Sequence, residues 1–132
     1  MNTSADFIPL VQKNFERILR ERELKKVQET QTLVLKGIVY ANSSKAFDFS
    51  LDVRDGYVDC LYGPASILDA DGLPRWPDSE SMISMNKLLR DEGVHIPVGM
   101  TELYNNGRLE EVIKLLVQGL ADHADVVFAV NP

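Results

Sequence analysis

A single cysteine, Cys60, stands among the 132 residues. One thiol cannot close an internal disulfide or build a thiolate zinc site, and this usage fits a reducing compartment. No apolar run approaches the roughly 20 residues that cross a bilayer. The opening residues, Met1 to Asp6, lack the basic region and apolar core of a secretory signal. The expectation is a cytoplasmic protein with no membrane contact. Also missing are a phosphate-cradling glycine loop, a nucleophile elbow and a His-Glu-x-x-His pattern. The two histidines, His95 and His123, lie far apart in the chain. We therefore expect no catalytic residue, no metal and no cofactor.

Positive charge is scarce as well. Fourteen Lys and Arg face 20 Asp and Glu, a net charge of −6. A nucleic-acid binder concentrates basic charge, so no nucleic acid is expected. The acidity is uneven: residues 1–45 carry +3, residues 46–80 carry −6 and residues 81–132 carry −3. Such a field would steer a basic protein partner; it also serves plain solubility. The length suits one domain, residues 1–132, with 45% hydrophobic and 26% charged residues.

What is there centres on Ala46 to Gly63. Phe47, Phe49, Leu51 and Val53 alternate with Asp48, Ser50, Asp52 and Arg54, the period of a strand with one dry face and one wet face. Asp55-Gly56 suits a two-residue type I′ turn, with a second strand from Tyr57. That turn would set Asp52 opposite Asp59, with Asp48 further along the same wet face. Like charges directly opposed are unfavourable, so a cation, solvent or a partner must neutralise them.

Upstream, Phe7, Val11, Phe15, Ile18 and Leu19 recur at helical spacing, and Asp6 is the expected N-cap. Residues 27–41 are rich in β-formers around Gly37, which either kinks one strand or separates two. Downstream, residues 63–78 form a long irregular segment containing Asp69, Asp71, Gly72 and Trp76. The spacing fails as a calcium loop, because Ile67 and Asp78 fall where an acidic ligand and a glutamate belong. Trp76 is either a binding anchor or a lid on the core. A second helix is predicted from Ser79 or Ser81, ending at Gly93, and a third from Arg108 through Leu120, with Ala124 and Val127 continuing its stripe. The fold class is thus α+β: an antiparallel meander of three to four strands packed on an N-terminal helix and two C-terminal helices.

This layout, with Leu51-Asp-Val-Arg-Asp-Gly-Tyr57-Val as its sharpest piece, resembles the small acidic α+β immunity proteins of bacterial polymorphic and contact-dependent toxin systems. The resemblance implies a non-catalytic protein that neutralises a basic toxin domain by stoichiometric binding. From the acidic middle of the chain, the expected contacts are Asp48, Asp52, Asp59, Asp69, Asp71 and Trp76. Two other readings fit the same features, an acidic secretion-type chaperone and a small ligand-binding domain or enzyme.

Overall fold

In the computed structural model, residues 3–75 and 81–129 are described. A 3-10 turn, Ser4–Asp6, leads into α1, Phe7–Glu21. Asp6 does not cap α1 with its side chain. Its carboxylate instead accepts the Thr3 backbone N–H at 2.7 Å, one turn earlier. Helix α1 stops at Arg22, and Glu23 takes φ of 55° to turn the chain back.

Five strands follow: β1 (Lys25–Gln31), β2 (Leu35–Ala41), β3 (Lys45–Asp52), β4 (Tyr57–Pro64) and β5 (Ile83–Ser84). They pair in chain order, every neighbour antiparallel. The meander therefore has one strand more than the three to four expected. Gly37 neither kinks a long strand nor separates two; it lies inside β2, opposite Thr30 and Ser50. The reversal comes earlier, at Thr32-Leu33-Val34, and uses no glycine. The Thr32 hydroxyl accepts the N–H groups of Val34 (3.3 Å) and Leu35 (2.9 Å), which closes the turn locally.

After β5 come α2 (Met85–Asp91), a π-helical turn (Thr101–Asn105), α3 (Leu109–Asp122) and the short α4 (Ala124–Val127). The second helix begins later than predicted, because Ile83 and Ser84 join the sheet edge and Ser84 becomes the N-cap, accepting from the Lys87 N–H at 3.0 Å.

One sheet face carries the main core. Ile38, Tyr40, Phe47, Phe49, Leu51, Val58, Cys60 and Tyr62 are buried there against Phe7, Val11 and Phe15 of α1 and the inner stripe of α3. Phe15 is the hub, its ring 5.5 Å from Tyr40, 5.8 Å from Phe47 and 4.9 Å from Phe49. Near the C-terminal end, Phe128 packs on Phe47 at 5.4 Å and takes the Arg22 guanidinium over its ring at 4.3 Å.

The second face is covered by the segment after β4. Residues 65–75 form a strap running back across the strands towards β1. Ile67 and Met82 meet the open side of Gly63. The Ala65 N–H bonds the Ser44 carbonyl, and Leu68 bridges to Pro74. At the far end Gln28 Nε2 donates to the Asp71 carbonyl at 3.0 Å. Gly72, at φ 81°, lies so close to the Val27 backbone that a Cβ there would come within 2.8 Å of its carbonyl oxygen.

Candidate functional site

The central hairpin forms with its register two residues away from the two-residue turn expected. Asp52 pairs with Tyr57, Ser50 with Asp59 and Phe49 with Cys60. The Asp52–Asp59 opposition does not occur. A type I′ turn needs positive φ at both central residues. Here Gly56 has φ of 62° while Asp55 does not adopt positive φ. Asp52 instead closes a longer loop: its Oδ1 accepts the Asp55 N–H (3.0 Å) and its carbonyl accepts the Gly56 N–H (2.9 Å). A slip of two preserves which side chains share a face. The apolar set therefore stays in the core while the aspartates move apart.

Their environments differ sharply. Asp59 is 7% exposed and bonded on every side. Its Oδ1 accepts the backbone N–H of Cys60 (2.7 Å) and of Asn86 (3.0 Å), and its Oδ2 accepts the Ser84 hydroxyl at 2.6 Å. Asn86, itself buried, donates from Nδ2 to the Val58 carbonyl at 2.6 Å. Strand β5 is only two residues long, so it leaves the outer peptide groups of β4 at Val58 and Cys60 without a strand partner. The side chains of Asp59 and Asn86 satisfy them. Asp59 thus sits beneath the start of α2, and the three aspartates do not form one water-facing patch.

Asp48 is half-buried on the strap-covered face, between Val39 and Leu61 on the neighbouring strands. Burial, reinforced by the nearby Asp59 charge, raises its carboxyl from 3.8 to about 6. The folded protein then binds a proton that the unfolded chain releases between these two values. Stability contributed by this group therefore falls as pH rises through the window from about 4 to about 6. Asp48→Asn is expected to stabilise the fold at pH 7 by about 2 kcal/mol, allowing for partial solvent exposure. The gain should vanish near pH 4. Urea melts of both proteins at the two pH values check this; an equal effect at both would refute the assignment.

Asp69 and Asp71 are exposed on the strap. Asp69 Oδ1 accepts the N–H groups of Asp71 (2.8 Å) and Leu73 (3.1 Å), which fixes the turn that displays them. Trp76 lies outside the described residues. No group of three or more His, Cys, Asp or Glu side chains is placed to hold a metal among the described residues. Cys60 is wholly buried, and burial pushes its thiol well above the ordinary value. His123 Nε2 lies 2.8 Å from Glu92 Oε1, tying the end of α3 to the end of α2.

A second surface feature went unpredicted. At the end of the sheet carrying the β1–β2 and β3–β4 turns, Leu33 is 93% exposed, with Val34 and Leu35 exposed beside it. The Val53 N–H bonds the Val34 carbonyl at 3.0 Å, joining the two turns. The Gly99 N–H bonds the Gly56 carbonyl at 2.9 Å, which brings in the loop of Val98 and Met100, both exposed like neighbouring Tyr57. Val34, Leu35, Asp52, Arg54 and Asp55 line one shallow hollow of about 330 Å³. The available sequence signal was Leu33-Val34-Leu35 itself; read as strand, it looked like core.

The fold and this geometry define an α+β protein with a five-stranded antiparallel meander, helices on one face and a strap on the other. No protein-family model matches the chain, no curated protein matches its sequence and no solved structure matches its fold. No helix among the described residues is long and apolar enough to cross a membrane.

Proposed function

We propose that this chain is a non-catalytic protein-binding protein that neutralises a basic toxin domain by stoichiometric binding. The observation that carries this reading is the strap. Its turn is closed by the Asp69 carboxylate and held to β1 through Gln28, and it presents Asp71 to solvent in a chain of net charge −6. A pre-formed acidic turn binds a cationic surface without first ordering a loop, and its field speeds encounter. Of the expected contacts, Asp69 and Asp71 belong to this segment and Trp76 follows it in the sequence, outside the described residues, whereas Asp59 is engaged internally and Asp48 lies under cover.

The test is calorimetric titration against any basic toxin domain that a neighbouring gene is found to encode. A one-to-one complex is expected. Asp71→Lys should weaken it about tenfold, chiefly through slower association, with the difference shrinking as salt is raised. The fold should be untouched, since only backbone atoms of Asp71 are bonded in the strap. If Asp71→Lys combined with Trp76→Ala leaves the affinity unchanged, the strap is not the contact. Binding only to an unfolded client would favour the chaperone reading instead.

A further inference from the structure

We infer that the turn-bearing end of the sheet is a self-association surface, and that its occupant is the same end of a second copy of this chain. The inference is independent of the proposed strap contact. Leu33 stands at a turn apex with 93% of its surface in water, and hydrogen bonds hold the turn beneath it. Thr32 staples it from within, and the Val53–Val34 bond anchors it to the neighbouring turn. Leu33, Val34 and Leu35 make it the apolar projection expected of an interface centre.

The charges select the partner. Arg54 stands between Asp52 and Asp55 on the rim, and it has no ion pair among the described residues. A surface built for a purely cationic partner would not place an arginine there. An anionic membrane would be repelled by the two aspartates. A two-fold axis resolves both difficulties. In an isologous interface each patch must complement itself, so Leu33 packs on the other copy's apolar apex and Arg54 of each copy meets Asp55 of the other.

The experiment is sedimentation equilibrium of the full chain from micromolar to millimolar concentration. The wild type should rise from the 14.8 kDa monomer towards twice that mass. Leu33→Asp should weaken association by about tenfold or more. Its far-ultraviolet spectrum and urea midpoint should not change, because the side chain lies outside the core.

The charge swap gives an independent readout. Arg54→Asp and Asp55→Arg should each be monomeric alone, because each places like charges across the axis, while an equimolar mixture should dimerise. Neither substitution removes a bond that holds the turn, which uses the Asp55 backbone N–H and the Asp52 carboxylate. A 14.8 kDa species at every concentration overturns the proposal, as does self-association that survives Leu33→Asp. Failure of the swapped mixture to dimerise also overturns it. So does Leu33-dependent binding to phosphatidylcholine–phosphatidylglycerol vesicles in place of dimerisation.

Discussion

Asp59→Ala is expected to destabilise the protein by on the order of 4 kcal/mol, from about 2 kcal/mol for each of two buried backbone N–H groups left without an acceptor. Those groups belong to Cys60 and Asn86, and Oδ1 of Asp59 serves both. The Ser84 hydroxyl would lose its acceptor too, but it lies at a partly exposed position and can turn to water. The loss should be local as well as global. Helix α2 depends on Ser84 and Asn86 being held against β4, so its amides should exchange faster than those of α1 in the variant. Asp59→Asn is the informative companion. It keeps one acceptor oxygen and should recover a substantial part of the loss. Chemical denaturation of the two variants, with hydrogen exchange on α2, decides the matter. An Asp59→Ala protein as stable as wild type would mean that the carboxylate is not what closes the edge of β4.

Gly56→Ala is expected to cost about 3 kcal/mol. Roughly 1 kcal/mol comes from holding alanine at positive φ, and about 2 kcal/mol from overpacking. Gly56 has φ of 62°, and an added Cβ would come within 2.6 Å of the Met100 backbone nitrogen and 2.8 Å of the Gly99 Cα. Backbone cannot rotate aside as a side-chain tip can. The 98–100 loop must retreat, and the Gly99 N–H bond to the Gly56 carbonyl goes with it. Gly107 separates the two contributions. It has a similar φ of 66° but open space where its Cβ would be. Gly107→Ala should therefore cost only about 1 kcal/mol. Equal losses at the two glycines in urea melts would show that the close approach at Gly56 carries no energy.

The helices and the main hairpin were legible because their signals are local. Apolar spacing marked the buried stripes of α1 and α3, and the alternation at Phe47, Phe49 and Leu51 marked the inner face of β3. The register was not legible. It depends on whether Asp52 bonds the loop that follows, and a two-residue turn and a longer one present the same alternation to the core. The β1–β2 turn was hidden for a related reason. Its stapling comes from one threonine hydroxyl, while the neighbouring Leu-Val-Leu reads as strand. Strand β5 is too short to leave a period. Among the expected contacts, the fates of Asp48 and Asp59 were set by what covers them, the strap and the start of α2. That is tertiary information carried by residues distant in the sequence, such as Asn86, 27 positions from Asp59.

The two margins of the sheet are closed in different ways, and this limits how the chain can aggregate. An unpaired strand margin invites a foreign strand to continue the ladder. On one side, Asp59 and Asn86 consume the peptide groups that β5 leaves open. On the other, β1 carries Lys25 and Lys26, an irregularity in pairing between Lys26 and Gln28, and the strap's Gly72 pressed on Val27. Fibril-like growth by strand addition is obstructed at both margins, so concentrated solutions should stay free of thioflavin-positive material even where the turn-bearing end brings two molecules together.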